Sequence, residues 1–336
     1  MGKYVTMTEL AKKLGLSHST VSRALKNHPA ISLETTEKVK NLAEQLGYQS
    51  NFSANQLSHG KSKLIGVIVP DLTINFYTKV IEGIQNVLES EDYATMLFNT
   101  KESFQREEVS IETCLKYRVD GVLAAISMET KHFHHFEKLL KYEVPLVFFD
   151  RVANFLAVPK IITNDHQAAF NATNHLIETG CKKIAHITAS INLNNSNNRL
   201  YGYLDALKAS NLDIDESLIH YYESKLNSIS NFLKKTIAQH PDMDGLFVFN
   251  DYVANYSVNI LQGLGKRIPE DIAVFGFSDE PVATHMTPQL STVHQNGQKM
   301  GQFASQKLCS ILKKNEPMSN EKITINPKLI LRESTR

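Results

Sequence analysis

The sequence predicts an all-α helix-turn-helix headpiece followed by an α/β core of two parallel-sheet lobes. Three observations carry this expectation. Residues 6–25, TMTELAKKLGLSHSTVSRAL, hold two helical patterns joined at a glycine. From Leu64 onward, short unbroken apolar runs alternate with amphipathic stretches, and this alternation occurs in two series. Strands that are apolar throughout and linked by helical crossovers indicate parallel sheets covered on both faces. Finally, 336 residues are too many for one core but suit a small head with two medium lobes.

In the head, Thr6 and Glu9 have capping-box spacing, and Leu10, Ala11 and Leu14 form an apolar face. Gly15 stands at the turn, where a residue tolerant of positive φ is required. Ser17 caps a second helix that turns Val21, Ala24 and Leu25 inward. His18, Ser19, Thr20, Ser22 and Arg23 are left facing outward. Hydroxyls, one imidazole and one guanidinium offer little apolar contact to a protein. They offer donors and acceptors that suit base edges and phosphates in a DNA major groove. A third helix, capped by Ser32, carries Val39, Leu42, Ala43 and Leu46 at helical spacing and ends at Gly47. Residues 51–59, NFSANQLSH, show only a thin apolar face of Phe52, Ala54 and Leu57, as a linker would.

The first series of the core runs LIGVIV, Phe76–Ser90, ATMLF, Gln105–Tyr117, GVLAA, Lys131–Lys141 and LVFFD. The second runs KIIT, Gln167–Thr179, KIAHIT, Asn198–Ala209, a weak IHYY, Ser228–Gln239, LFVF, Asp251–Gly263 and IAVFGF. Near Leu290–Val293 the chain is expected to return to the first lobe, adding a helix over Gly297–Leu312, with LILRE as a late strand. The asparagine-rich stretch Ile191–Asn198 reads as a loop.

In open parallel sheets a ligand binds beyond the carboxyl ends of the strands. Those ends bring forward Asn75, Phe76 and Tyr77; Asp150 and Arg151; Asn164 and Asp165; Asn192 to Arg199; Asn250 and Asp251; Ser278 and Asp279; and Gln295. Carboxylates, amides, arginine and aromatic faces are the groups that recognise a polyol: the polar ones take hydroxyl pairs and the rings take a sugar's apolar face.

LAKKLGLSHSTVSRAL, followed by GYQSN and ANQL, resembles the N-terminal headpiece of the LacI/GalR family of bacterial transcription regulators. The resemblance continues through IGVIVPDLTINFY, VFFDR, ITND, NNRLYGY, FVFND, GFSDEP and TPQLSTVHQ, and so spans essentially the whole chain. It implies a periplasmic-binding-protein-like core that binds a small effector, a carbohydrate in the first instance, and a repressor that acts as a homodimer on double-stranded operator DNA. It implies that Thr6, Ser17, His18, Ser19, Thr20, Ser22, Arg23, Tyr48, Asn51, Ala54 and Leu57 serve DNA binding. His18 and Ser19 would read bases, Arg23 a guanine, and Tyr48 and Asn51 would position the backbone. Residues from Asn51 would be a hinge helix, with Ala54 allowing close approach and Leu57 wedged into the minor groove. For the effector, the resemblance implies contacts from Asp150, Arg199, Asn250 and Gln295 and an aromatic wall of Phe76 and Tyr77, to which the strand ends add Asn75, Asn192, Ser278 and Asp279. Ser278 departs from the family, many members of which carry aspartate there. The expected segments are a head over 1–50, a hinge over 51–62 and a core over 63–336. Within the core, the first lobe takes about 63–162 and 293–325, and the second about 163–292.

Composition agrees with this reading. Net charge is +1 overall, yet residues 1–63 carry +5 and the remainder −4, the footprint of a DNA-contacting module on a neutral body. Three scattered cysteines and no apolar leader fit a cytoplasmic protein without disulfides, cofactor or metal, and no apolar run suits a membrane. The absence of a leucine heptad after the last strand fits a dimer better than a coiled-coil tetramer. Two alternatives share the lobes: a sugar-binding receptor and a sugar-processing α/β enzyme. Against the enzyme, Glu280 replaces the closing glycine in GFSDE, which starts like GxSxG, and Asn55 stands where HGKSK would need the first glycine of a phosphate loop. His132 and His135 lie one helical turn apart without an evident third ligand, so a solvated helix face is expected.

Overall fold

The structure, a computed structural model, describes residues 5–48, 61–222, 226–314 and 318–335. The chain divides between Ser62 and Lys63 into two units. The first contains α1 (Met7–Leu14), α2 (His18–Leu25) and α3 (Leu33–Gln45). The expected caps form. Thr6 Oγ1 accepts from the Glu9 amide while Glu9 Oε2 accepts from that of Thr6, and Ser17 and Ser32 cap α2 and α3. Gly15 closes α1 at φ +63°, a left-handed conformation that costs other residues more. Leu10, Ala11, Val21, Ala24, Val39 and Ala43 are buried together.

The second unit begins with β1 (Leu64–Val69), α4 (Asn75–Ser90), β2 (Ala94–Asn99), α5 (Phe104–Lys116), β3 (Gly121–Ala124), α6 (His134–Lys141), β4 (Leu146–Phe149) and β5 (Lys160–Thr163). It continues through α7 (Asp165–Glu178), β6 (Ile184–Thr188), α8 (Asn194–Ala209), β7 (Ile219–Tyr221), α9 (Leu226–Gln239), β8 (Gly245–Val248), α10 (Asp251–Gly263), β9 (Ala273–Phe275) and α11 (Val282–His285). It closes with β10 (Thr292–His294), α12 (Gly297–Lys314), β11 (Lys322–Ile325) and β12 (Lys328–Ile330).

Two parallel sheets result, ordered β11-β5-β4-β3-β1-β2 and β7-β6-β8-β9. The central strands of each are buried on both faces. Along β1, Ile65, Val67 and Val69 face one cluster with α4 and α12, while Ile68 faces another with α5 and α6. That two-residue period explains why the strands read as unbroken apolar runs. The chain passes between the lobes after β5, between β10 and α12, and between β11 and β12.

Helices cross closely where glycine removes a side chain. A Cβ on Gly83 would lie 2.0 Å from the Gln298 carbonyl oxygen, and one on Gly301 would lie 2.0 Å from that of Val80, so α4 and α12 meet backbone to backbone. Val80, Ile84 and Leu88 of α4 are fully buried there, each burial contributing roughly 1.5–3 kcal/mol.

Three expectations need correction. KIIT forms β5, which pairs with β4 and β11 and thus completes the first lobe's sheet; it does not open the second series. LILRE begins inside β12, which pairs antiparallel with β10, and Leu329 packs on the second lobe's core. Ile191–Asn198 is not a loop throughout, because α8 starts at Asn194. Asparagine side chains compete with the backbone in most helices, but these have partners elsewhere. Asn194 Oδ1 accepts from the Val152 amide at 2.7 Å, and Asn195 Nδ2 donates to Asp150 Oδ1 at 3.4 Å.

Candidate functional site

The head presents one polar surface. Along α2, His18, Ser19 and Arg23 are exposed and Thr20 and Ser22 half-exposed, while Val21 and Ala24 are fully buried behind them. Ser17 Oγ receives the Thr20 amide at 3.1 Å and lies 2.8 Å from the hydroxyls of both Ser19 and Thr20, which fixes the start of the helix. Thr6 is likewise engaged in its cap, and Tyr48 is half-buried against the helical core, its phenol pKa raised by burial. Asn51, Ala54 and Leu57 lie outside the described residues.

In the core, a narrow cleft with about 40 Å³ of free space lies between the lobes at the carboxyl ends of their strands. Of the expected effector residues it gathers Phe76, Tyr77, Asp150, Arg199, Asn250, Ser278 and Gln295. Tyr77 Oη donates to Asp150 Oδ2 at 2.8 Å, and burial, reinforced by Asp150, raises that phenol well above its ordinary pKa. Arg151, beside Asp150, pairs with both oxygens of Glu102 at 2.8 and 2.7 Å. Burial opposes its charge, but Glu102, Tyr77 and Asp150 outweigh that and hold it protonated. Arg199 donates from Nε to Asp165 Oδ1 at 2.8 Å and from Nη1 to the Phe249 carbonyl at 2.7 Å, with its guanidinium 3.6 Å from the Phe277 ring centre. Asn250 uses its Oδ1 to cap α10, and Ser278 Oγ donates to Gln295 Oε1 at 3.1 Å.

Three expected residues do not line the cleft. Asn192 is exposed ahead of α8, and its place is taken by Asn195 and Ser196 on the first turn. Asp279 is drawn away by Arg332 Nη2 at 2.7 Å and His294 Nδ1 at 3.0 Å. Asn75 enters the site through its backbone amide. Asp165 and Asp251 are buried supports. Asp251 receives Thr292 Oγ1 at 2.6 Å and the Glu280 amide at 2.7 Å, and burial, with Glu280 and Asp279 nearby, lifts its pKa to about 7.

Sequence reasoning missed Ala189, Phe249, Tyr252 and Glu280 as lining residues. Phe249 closes the run LFVF and Glu280 lies within GFSDEP, so both stood inside stretches already singled out. Glu280 is the most consequential. It is 2% exposed, belongs to the second lobe, and accepts the amides of Asn75 and Phe76 in the first at 2.9 and 3.0 Å. Burial raises its pKa, and those two amides oppose the rise.

Away from the cleft, His132 lies ahead of α6 and His135 is buried within it, so the two do not share the expected solvated helix face. Glu108, His134 and His135 bring one potential ligand atom each within 4.8 Å of one another. His134 and His135 are already occupied by carboxylates, through Nε2 to Glu108 at 2.7 Å and Nε2 to Glu107 at 2.8 Å, which pins α6 to α5. No helix among the described residues is long and apolar enough to cross a membrane.

A hinged ligand-binding core on the same chain as a helix-turn-helix head defines a class: ligand-responsive regulators of transcription. Residues 62–332 match the family described as periplasmic binding proteins and sugar binding domain of LacI family, and residues 6–51 match the bacterial regulatory proteins, lacI family. The chain belongs to the LacI family; it is a DNA-binding transcriptional regulator with an effector-binding core and is not an enzyme. It is 27% identical over 331 residues to the ribose operon repressor of Halalkalibacterium halodurans, covering 98% of this chain and 97% of that protein. It is 28% identical over 334 residues to catabolite control protein A of Priestia megaterium, covering 99% of each. Among solved structures, the complex of the transcriptional regulator CelR with cellobiose is 26% identical, with a TM-score of 0.75 over 98% of this chain and 99% of that one. The lac repressor dimer bound to operator and the anti-inducer ONPF has a TM-score of 0.85 over 99% of each chain; at 21% identity this is a likeness of fold.

Proposed function

We propose that the protein is a repressor that binds a pseudo-palindromic operator as a homodimer, and that a sugar or sugar derivative in the cleft sets its operator affinity. The observation that carries the DNA half is the polar face of α2, backed by a closed apolar core. In this reading α2 enters the major groove, His18 and Ser19 contact base edges, and Arg23 takes a guanine through both its terminal nitrogens. Tyr48 and Asn51 position the phosphate backbone. Residues 51–62 pair as hinges between a head over 1–50 and a core over 63–336, with Ala54 and Leu57 at the minor groove. The cytoplasm, where the chromosome lies, is the place of action.

Support for the sugar comes from the cleft's mixture of amides, hydroxyls, carboxylate and rings, and from the relatives named for ribose and cellobiose. Binding between the lobes would favour one lobe arrangement, and operator affinity changes only by the effector's preference between arrangements. The test is selection of an operator from random duplexes, followed by anisotropy titration against scrambled DNA at moderate salt with and without a sugar panel. A preference for the selected duplex that one sugar alters supports the reading. Equal binding of both duplexes under every condition overturns it.

A further inference from the structure

The cleft's positive features are already taken by the protein's own carboxylates. Among the described residues lining it, the cationic side chains are Arg151 and Arg199. Arg151 is paired to Glu102 through two hydrogen bonds, and Arg199 to Asp165 through Nε and Nη2, with Nη1 on a carbonyl. A third positive feature is the amino end of α4, where unpaired amides and the helix dipole would attract a phosphate or carboxylate. That end is also filled, since Glu280 places one oxygen on each of the first two amides of α4. Both oxygens act as acceptors from N–H groups, the role of an ionised carboxylate. Asp150 adds a second acid to the wall, with its oxygens accepting from Tyr77 and Asn195.

We infer that Glu280 is a specificity-determining residue that occupies the cleft's anion site and restricts the effector to neutral hydroxylated molecules, excluding sugar phosphates and sugar acids. The inference rests on the proposed effector role of the cleft. An anionic ligand would have to expel Glu280 from α4, leave that carboxylate buried without its donors, and sit beside Asp150. Each step disfavours binding. A neutral sugar meets amides, hydroxyls and ring faces without displacing any charge.

The experiment compares matched pairs on the full-length protein: D-glucose with its 6-phosphate, D-ribose with its 5-phosphate, and D-galactose with D-galacturonate. Thermal shift and calorimetry are run on the wild type, Glu280→Gln and Glu280→Ala. In the wild type a neutral member should raise the melting temperature while its charged counterpart does not. In Glu280→Ala, with the amino end of α4 exposed, the charged-to-neutral affinity ratio should rise by about tenfold or more. Glu280→Gln, which keeps the shape and loses the charge, should fall between the two. A charged member that binds the wild type as well as its neutral counterpart overturns the inference, as does an unchanged ratio in both variants. In either case the effector reading itself survives. If no member of any pair shifts the melting temperature or the operator affinity, the effector reading fails and takes the inference with it.

Discussion

Arg199 and Asp165 form a buried pair in the second lobe, with one carboxylate oxygen accepting from both Nε and Nη2 of the guanidinium at 2.8 Å. The exposures are 5% and 1%, so neither charge is compensated by bulk water. Removing one member strands the other in a low-dielectric site. Asp165→Ala should therefore destabilise the core by about 3–5 kcal/mol, read by denaturant unfolding of the purified protein. Asp165→Asn, which retains an acceptor, should cost less. Equal stability of Asp165→Ala and wild type would show that the pair holds nothing together.

Arg23 is exposed on α2, away from the fully buried Val21 and Ala24. Arg23→Ala should leave the melting of the head unchanged while costing about 1–3 kcal/mol of operator affinity and relaxing preference at one base pair. Anisotropy titrations against single-substituted operators read this. A loss that is uniform across all duplexes would reassign Arg23 to a phosphate.

Gly301 and Gly83 set the crossing of α4 and α12. A methyl at either position would meet a backbone carbonyl oxygen at 2.0 Å, which no rotamer change relieves. Gly301→Ala should push the helices apart and cost about 1–3 kcal/mol, lowering the melting temperature. Gly263→Ala is the control, because nothing lies within 4 Å of its added Cβ.

His186 is fully buried, stacked between the rings of Tyr203 and Phe247, with Nδ1 donating to the Phe247 carbonyl at 3.0 Å. Burial keeps it neutral and lowers its pKa from 6.5 to about 3. Between those values only the unfolded chain takes up the proton, so acidification draws the equilibrium toward unfolding. The stability this residue contributes is present above pH 6.5 and is lost progressively toward pH 3, on the order of a few kcal/mol in all. His186→Phe keeps the stacking and cannot ionise, so its unfolding free energy should fall less steeply between pH 6.5 and 4. Parallel pH profiles for the two proteins would place the acid sensitivity elsewhere.

Much of this molecule was legible in local patterns. The Thr6–Glu9 box, the Ser17 and Ser32 caps and Gly15 are short-range devices, each settled by a few neighbouring residues, and all appear as expected. The parallel strands were equally legible, since burial on both faces leaves continuous apolar runs such as LIGVIV. Helix starts were less so. Asn194 begins α8 only because Val152 and Asp150, more than forty residues earlier, meet its side chain.

Taken alone, the sequence determined the head with its polar α2 face, the two-lobe α/β plan, and the strand ends at which a ligand site would form. Period and capping are encoded within one turn or one strand. Only the tertiary structure decided that KIIT pairs with β11, that Asp279 turns to Arg332, and that Glu280 crosses the cleft to the amino end of α4. Those outcomes depend on which charges and donors meet after residues some 50 to 200 positions apart are folded together, and a linear pattern does not carry that information.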